Sequence, residues 1–250
     1  MLKYAREQLR ARTTPEQRQR ILQRLRRLSR PAVLGTVRRT SPLSYSWGYD
    51  RGTPVDRYYI ERFLVQHRTD IHGRVLEVKD SHYTRRFGRN VERCDILDVD
   101  PANPSATIIA DLAAADTVPS DTFDCFVLTQ TLQFIYDTRA ALGHIHRILR
   151  PGGVLLSTVP VVSRIDRSLK SIDYWRFTAA SCRQLFAEQF GAEQTTVHTY
   201  GNVLAGVAFL TGMAYEELSR REREANDEYF PIIVAVRAVK SDTSSLPPQV

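Results

Sequence analysis

Five short apolar runs between residues 74 and 160 decide the fold: RVLEV (74–78), CDILDVD (94–100), ATIIADL (106–112), FDCFVLTQ (123–130) and GGVLLSTVP (152–160). Each run is rich in Val, Ile, Leu or Phe, which is typical of strands that a parallel sheet buries on both faces. A helical segment that begins near Asp137 separates the last two runs. This alternation predicts an α/β domain, to which residues 195–199 and 230–239 add a sixth and a seventh strand.

Acidic or polar side chains stand at the ends of several predicted strands. In an open parallel sheet, ligands bind outside the carboxyl ends of the strands. The sequence therefore predicts a row of hydrogen-bonding side chains along one edge of the sheet. The row consists of Glu77, Asp98 or Asp100, Asp111, Thr129 and Gln130.

Composition indicates a globular protein of one sizeable domain, since 250 residues suffice for one α/β core with additions. No apolar run is long enough to span a bilayer, and the charged N-terminus carries no visible secretory signal. Cys94, Cys125 and Cys182 lie far apart, which indicates buried thiols in a reducing compartment rather than disulfides or a metal site. We therefore expect a cytoplasmic protein without a metal.

Positive charge is concentrated at the N-terminus, where residues 1–30 hold ten Lys/Arg and two Glu. Thr14, Pro15 and Gln17 predict a helix start with a capping box, and an apolar stripe follows. We expect this basic helix to dock on the domain or on a second subunit. The alternatives are an anionic membrane surface or an acidic partner. Nucleic acid is not expected, because aromatic residues are not interleaved with the arginines. The stripe consists of Ile21, Leu22, Leu25 and Leu28.

These patterns divide the chain into three parts. Residues 1–40 form a basic helical extension, residues 41–240 form the α/β domain, and residues 241–250 form a polar, proline-containing tail that we expect to be disordered.

A family resemblance begins at residue 110, in ADLAAADTVPSDTFDCFVLTQTLQFIYDTRAALGHIHRILRPGGVLLSTVP. This segment resembles the second half of a class I S-adenosylmethionine (SAM) methyltransferase core, of the type 11-like kind found in glycan and natural-product clusters. With the acidic strand ends, the resemblance covers roughly residues 74–240. It implies SAM as cofactor and a Rossmann-like, seven-stranded, mostly parallel sheet, with an antiparallel seventh strand beside the fifth.

The chain departs from the family after the first strand, where relatives carry a glycine-rich turn. Residues 79–83 read KDSHY instead, with no glycine until Gly88, and only a short helix fits before the next strand. Glycine permits positive φ and a close backbone approach to the ligand. We expect side-chain hydroxyls and cations, such as Lys79 and Arg51, to bind the SAM carboxylate in place of the missing backbone contacts.

The resemblance assigns the strand-end residues to parts of the cofactor. Asp100 matches the ribose-binding position best, with Asp98 on the same face, although Asp100 could instead form a turn with Pro101. Asp111 would meet the adenine amino group and the Leu112 backbone a ring nitrogen, although Asp111 could instead cap the next turn. The predicted cofactor residues are Arg51, Glu77, Lys79, Ser81, Tyr83, Asp98, Asp100, Asp111, Leu112 and Thr129.

The acceptor is expected on the other side of the transferring methyl group. Gln133 lies where some relatives carry His, and its amide cannot act as a general base. The piece DYWRFT (173–178) resembles a segment of sugar and glycan methyltransferases, and its aromatics suit a saccharide, although it could be a packing plug. The predicted acceptor residues are Tyr58, Gln133, Trp175 and Arg176, and the candidate bases are His82, Asp173 and Tyr174.

The sequence thus favours an enzyme that transfers a methyl group from SAM to a small acceptor, such as a sugar hydroxyl. The alternative is an inactive protein of the same fold that binds or scaffolds a glycan-assembly enzyme. A third hypothesis keeps SAM-like binding with different chemistry, such as a cyclisation.

Overall fold

The computed structural model of the protein describes residues 13–15, 17–18, 21, 35 and 38–241. The chain divides into two compact units, residues 1–41 and residues 42–250. Most of the predicted basic helix and the tail at 242–250 lie outside the described residues. The expected reciprocal contact of the capping box is present, since Thr14 N–H donates to Gln17 Oε1 (3.0 Å) and Gln17 N–H donates to Thr14 Oγ1 (3.2 Å).

A seven-stranded sheet forms the centre of the second unit, in the order β3-β2-β1-β4-β5-β7-β6. Strands β1 to β5 are parallel, and β7 lies antiparallel between β5 and β6. The predicted Rossmann-like architecture, with its antiparallel seventh strand, is confirmed. The strands are β1 (Gly73–Val78), β2 (Val91–Asp98), β3 (Ile108–Ile109), β4 (Phe123–Thr129), β5 (Leu149–Pro160), β6 (Thr195–Tyr200) and β7 (Ile233–Val239).

Helices connect the strands and cover both faces of the sheet. In the described part of the chain they are α1 (Val55–Gln66), α2 (His82–Phe87), α3 (Thr138–Ile148), α4 (Ala179–Phe190), α5 (Val203–Thr211) and α6 (Arg220–Glu224). Short 3₁₀ turns stand at Leu112–Ala114, Leu132–Phe134 and Tyr215–Glu217. The short helix expected after β1 is therefore present as α2.

Alternation along the strands produces two separate apolar layers, because successive strand side chains point to opposite faces. Val75 of β1 packs in the layer that contains Phe63 of α1. The next residue, Leu76, packs in the opposite layer with Leu142 of α3 and Phe186 of α4. The domain is consequently a three-layer sandwich whose strand ends stay uncovered at the edges of the sheet.

Thr53 stands directly before Pro54 at the start of α1, where a threonine often caps a helix, but it does not cap this one. The N-cap is Pro54, which makes no side-chain hydrogen bond to the helix. The Thr53 hydroxyl instead donates to Glu216 Oε1 (2.8 Å), and its backbone N–H donates to Glu216 Oε2 (3.0 Å). A tertiary partner from residues far along the chain has replaced the local cap.

Two strands are shorter at their carboxyl ends than their apolar runs predict. Strand β2 ends at Asp98 rather than at Asp100, because Asp98 Oδ1 accepts from Asp100 N–H and turns the chain before Pro101. Strand β3 is only Ile108–Ile109, not residues 106–112, because it pairs with β2 alone at the sheet edge and Asp111 already caps the next turn.

Candidate cofactor and acceptor site

The backbone after β1 keeps the geometry of a glycine turn without a glycine. Lys79 has a φ of 74°, in the left-handed region that glycine normally occupies. Gln130, directly after β4, has a φ of 48°. Residues other than glycine are strained when their backbone lies in this region, and such strain is concentrated at functional sites. Both strained residues follow parallel strands, at the edge where ligands bind in open sheets.

Asn103 joins the tips of β1 and β2. Its amide Nδ2 donates to the carbonyl oxygen of Lys79 (2.8 Å) and to Asp98 Oδ2 (2.7 Å). Burial alone would raise the pKa of Asp98, but the hydrogen bonds from Asp100 N–H and Asn103 outweigh it and lower the pKa. Asp98 is therefore an ionised acceptor at a fixed position. Sequence reasoning missed Asn103, because its role depends on two strands that are adjacent only in the fold.

Asp100 and Asp111 both make local turn contacts. Asp100 Oδ1 accepts from Ala102 N–H (2.9 Å), and Asp111 Oδ1 accepts from Ala113 N–H (2.9 Å). Both aspartates are exposed, so their remaining lone pairs are open to a ligand. Asp98, and not Asp100 as predicted, occupies the last position of β2. Leu112, next to Asp111, is buried, and only its backbone is suited to a polar contact.

Glu77 holds the start of α2. Its carboxylate accepts from Tyr83 N–H (2.9 Å) and from Thr84 N–H (2.8 Å), and the residue is buried. Burial raises the pKa of Glu77 even though these hydrogen bonds act in the opposite direction. The carboxylate thus closes the turn between β1 and α2. Lys79 and His82 are exposed and do not pack into the interior.

Arg57 is a half-buried cation beside this turn that sequence reasoning did not single out. Its Nη1 donates to Tyr83 Oη (2.7 Å). Burial works against its charge, but Asp56 and Tyr83 outweigh that effect and raise the pKa of Arg57 above its ordinary value. The neighbouring Asp56 is buried, and burial raises its pKa. Arg57 Nε and Asp56 Oδ1 have no hydrogen-bond partner among the described residues.

Arg51 and Tyr58 were predicted from sequence to bind the cofactor and the acceptor, but they contact residues 215–223 instead. Arg51 forms an ion pair with Glu217, with 3.1 Å between Nε and Oε2. The Tyr58 ring lies 5.4 Å from the Tyr215 ring and 5.3 Å from the guanidinium carbon of Arg223. These contacts connect residues 51–58 to residues 215–223. Arg57, rather than Arg51, is therefore the cation that contacts Tyr83.

Gln133 lies in the loop after β4 and connects it to the loop after β5. Its side chain is buried, and Nε2 donates to the backbone oxygen of Gln130 (2.8 Å). Its backbone oxygen accepts from Tyr174 N–H (2.9 Å) and Trp175 N–H (3.2 Å). Oε1 has no partner within the described ranges. The structure therefore brings the predicted acceptor residues Gln133 and Trp175 together.

Three aromatic rings form a platform, which we define as Tyr136, Tyr174 and Trp175. Tyr136 lies 5.3 Å from Tyr174 edge-to-face and 5.7 Å from Trp175 in a stacked arrangement. Trp175 Nε1 donates to the backbone oxygens of Ile135 and Tyr136 (3.2 Å each), which fixes the ring. The three side chains are 38–69% exposed, so the platform is open to a ligand.

Asp173 and Arg176 contact each other rather than the platform. Arg176 Nη2 donates to Asp173 Oδ2 (3.2 Å) and to the backbone oxygen of Arg164 (3.1 Å). Burial alone would raise the pKa of Asp173, but the bonds from Arg176 and Asp166 N–H outweigh it and lower the pKa. Asp173 is consequently a weak base, and its contacts fit a structural role in the loop.

These residues fit the chemistry of SAM. The buried polar atoms without a partner among the described residues include Asp56 Oδ1, Arg57 Nε and Gln133 Oε1. Buried polar atoms normally find partners, so unpaired ones beside the strand tips are suited to contact a polar ligand. A carboxylate and a guanidinium side by side match the amino and carboxylate groups of a methionine tail.

The family is decided by comparison of the sequence with known proteins. The profile of a family described as a methyltransferase domain matches residues 47–192, more than half of the chain. The chain belongs to the methyltransferase domain family. The predicted membership of the class I SAM methyltransferases and the predicted cofactor are thereby confirmed.

Solved structures similar to this methyltransferase-family chain include two SAM-dependent methyltransferases. One is from Archaeoglobus fulgidus, with 10% identity and a TM-score of 0.49, over 74% of this chain and 94% of that one. The other is from Mesorhizobium loti, with 16% identity and a TM-score of 0.48, over 74% of this chain and 98% of that one. No curated protein matches the sequence.

Other features of this methyltransferase-family chain concern membranes and metals. None of the helices within the described ranges has the length and apolarity to cross a bilayer. Nor do the described residues contain three or more His, Cys, Asp or Glu side chains grouped to hold a metal ion. All three cysteines are free thiols. Cys125 and Cys182 are buried, as predicted, whereas Cys94 is only half-buried.

Proposed function

We propose that this protein transfers the methyl group of SAM to a hydroxyl of a sugar or a related small polar acceptor. The observation that carries the proposal is the exposed aromatic platform, whose loop is fixed to the backbone oxygen of Gln133. Aromatic faces bind the apolar face of a saccharide ring, while nearby polar groups orient its hydroxyls.

The cofactor half of the site is proposed from the strand tips. Asp98 would accept from the ribose hydroxyls, with Asp100 beside it, while Asp111 and the Leu112 backbone would meet the adenine. Arg57 and Asp56 would bind the two charged ends of the methionine tail, supported by Ser81, Tyr83 and Lys79. Thr129 would lie below the cofactor at the end of β4.

SAM supplies an electrophilic methyl group on a sulfonium. The chain's contribution is to hold the acceptor oxygen in line with that methyl group, which accounts for most of the catalysis in such a displacement. The platform would hold the sugar ring, and Gln133 Oε1 would accept a hydrogen bond from the reacting hydroxyl or a neighbouring one. Its missing partner in the described structure supports this role.

The reacting hydroxyl must lose its proton, so a base is required. Asp173 is the weakest of the three candidates, because its carboxylate is paired with Arg176. Tyr174 belongs to the platform, and His82 is exposed beside the turn after β1. We propose Tyr174 as the first residue to test, since the platform holds its ring in place. The Y174F variant should keep acceptor affinity and lose turnover.

Calorimetric titration with S-adenosylhomocysteine tests the cofactor half. The wild-type protein should bind, and Asp98→Asn should weaken binding about tenfold, because a charged acceptor of two ribose hydroxyls is lost. Asp100→Asn is the matched control and should change the affinity less, since Asp100 lies beyond the strand end. Absence of heat and of a thermal shift with the wild-type protein would contradict the proposal and favour the inactive, scaffolding alternative.

Transfer of a labelled methyl group from SAM to a panel of monosaccharides tests the acceptor half. Trp175→Ala should lower kcat/KM about tenfold or more, since it removes an aromatic face from the platform. Tyr229→Ala removes an exposed aromatic ring elsewhere on the domain and should leave kcat/KM unchanged. Equal effects of the two variants would contradict a role of the platform in acceptor binding.

A further inference from the structure

Two arginines in the loop after β5 lie on aromatic rings of residues 45–47. The guanidinium carbon of Arg164 is 3.3 Å from the centroid of the Trp47 ring, and that of Arg167 is 4.3 Å from the Tyr45 ring. When a guanidinium stacks on an aromatic ring through its face, the N–H groups on its edge can still form bidentate hydrogen bonds to an anion. We call Arg164 and Arg167 the arginine pair.

The arginine pair is compensated through space by the charge of Asp166 rather than by an ion pair. Neither residue takes part in an ion pair within the part of the chain that the structure describes. Arg176, in the same loop, is by contrast neutralised by Asp173. The nearest acid in sequence, Asp166, accepts from the backbone N–H (2.8 Å) and the hydroxyl (2.6 Å) of Ser168.

Electrostatics supports the need for an anion at this place. Burial lowers the pKa of Arg164, and the charge of Arg167 lowers it further, while Asp166 acts in the opposite direction. Arg164 Nε is buried without a partner among the described residues. Arg164 Nη1 donates to the backbone oxygen of Ile165 (3.0 Å). A bound anion would relieve the repulsion between the two guanidinium groups and pair with their remaining N–H groups.

The loop also links the arginine pair to the acceptor site. Residues 161–176 leave β5 at its carboxyl end, where ligands bind in open sheets. The same loop supplies Tyr174 and Trp175 to the platform, and Arg176 bonds the backbone oxygen of Arg164 (3.1 Å). The arginine pair and two of the three platform rings therefore belong to the same loop.

We propose that the arginine pair is an acceptor subsite for an anionic group, a phosphate or carboxylate carried by the sugar. This rests on the proposed function, in which the platform binds the sugar ring. The preferred substrates are sugar phosphates or sugar acids rather than neutral sugars. Arg164 supplies the half-buried part of the subsite, and Arg167 the exposed part.

Tryptophan fluorescence gives a direct test, because the sequence contains only two tryptophans, Trp47 and Trp175. In the W175F variant, all tryptophan emission comes from Trp47, which is stacked on Arg164. The probes are glucose, glucose 6-phosphate, glucuronate and inorganic phosphate, titrated at constant ionic strength without SAM. We expect saturable changes with the two charged sugars and none with glucose. Inorganic phosphate, which lacks a ring for the platform, should bind about tenfold more weakly than glucose 6-phosphate.

Charge-removing variants assign the binding to the arginine pair. Arg164→Gln and Arg167→Gln should each weaken glucose 6-phosphate binding about tenfold, since each removes a charge-assisted contact. Arg167→Lys keeps the charge and should lose less. Arg220→Gln, an exposed arginine on α6 paired with Glu224, is the control and should bind like W175F. The substitutions are introduced into the W175F background.

Three results would overturn the proposal. Glucose could bind as tightly as glucose 6-phosphate, or the arginine variants could behave like the Arg220→Gln control. Inorganic phosphate could also match glucose 6-phosphate, which would reduce the site to an unspecific anion site. Because these titrations contain no SAM, they fail or succeed independently of the S-adenosylhomocysteine titration that tests the proposed function.

Discussion

Lys79 adopts a backbone conformation that glycine normally takes. This residue, directly after β1, has a positive φ of 74°. Asn103 bonds the Lys79 carbonyl oxygen (2.8 Å), and Lys79 N–H donates to the carbonyl oxygen of Leu97 (2.9 Å). These contacts on both sides hold a conformation that the side chain itself disfavours.

Replacing Lys79 by glycine should therefore stabilise the fold. We expect K79G to exceed K79A by about 0.5–1 kcal/mol in free energy of unfolding, since relief of left-handed strain outweighs the added flexibility of the unfolded chain. Urea unfolding measures the difference. The control is K170G, at an exposed lysine without a positive φ, which should be less stable than K170A. Equal stability of K79G and K79A would show that Lys79 is not strained.

Among the site residues, those that follow from a strand end could be predicted from sequence. Asp98, Asp111 and Gln133 lie where the apolar runs end, and the fold brings that edge together. Arg57 and Asn103 could not be predicted, because their partners are far along the chain: Arg57 binds Tyr83, and Asn103 bridges two strand tips. The residues adjacent in sequence to a charged helical residue do not reveal a partner that lies far along the chain.

At the level of elements, the runs of apolar residues predicted the position of every strand in the sheet. The residues at which the strands end depend instead on polar contacts. Strand β3 shows the difference, since an apolar run over residues 106–112 leaves only Ile108–Ile109 paired with β2. A strand end is fixed by where hydrogen-bond partners stop, and periodicity does not contain that information. The start of α1 also depends on a polar contact, because the Thr53 hydroxyl donates to Glu216 and does not cap the helix.

An ion pair links the chain after α1 to the centre of β7. Asp70 accepts from Arg237 Nε (2.8 Å) and Nη2 (3.0 Å), and His67 Nδ1 lies 3.5 Å from Asp70 Oδ2. Burial alone would raise the pKa of Asp70, but the bonds from Arg237 and His67 outweigh it and hold the pKa well below its usual range. The pair therefore stabilises the folded state while Asp70 is ionised.

The stabilisation from Asp70 should depend on pH in a defined direction. Because the pKa is lower in the folded than in the unfolded chain, the contribution is complete above about pH 4 and is lost on further acidification. At neutral pH, D70N should cost about 2 kcal/mol in free energy of unfolding. Urea unfolding at a series of pH values should show this gap narrowing below about pH 4. Asp116, an exposed aspartate, is the control, and D116N should follow the wild type. A gap that stays constant in acid would contradict the assignment.

In the whole molecule, the end of the basic part of the sequence coincides with the boundary between the two compact units. Residues 1–41 carry twelve Lys/Arg and two Glu, whereas residues 42–250 carry 23 Lys/Arg and 26 Asp/Glu. The chain also divides into compact units between residues 41 and 42. We propose that the basic extension serves association with a partner, a second subunit or an anionic membrane surface, and that the second unit holds the site.

A chain truncated to residues 42–250 should accordingly fold and bind S-adenosylhomocysteine like the full-length protein. Its free energy of unfolding should change by less than about 1 kcal/mol, because both apolar layers and the whole sheet are retained. Calorimetry and urea unfolding measure the two quantities. Binding to anionic lipid vesicles at low salt should be confined to the full-length protein if the extension acts electrostatically. A truncated chain that unfolds without cooperativity would show that the extension is part of the domain.

The ends of the 161–176 loop meet, since Phe177 N–H donates to the carbonyl oxygen of Pro160 (2.9 Å). A loop whose two ends are joined by a hydrogen bond can differ between relatives without disturbing the scaffold that carries it. This loop contains both proposed recognition elements, which are the platform rings at 174–175 and the arginines at 164 and 167. Chimeras that graft only this segment should thus inherit the donor's preference among acceptors and keep the host's affinity for cofactor.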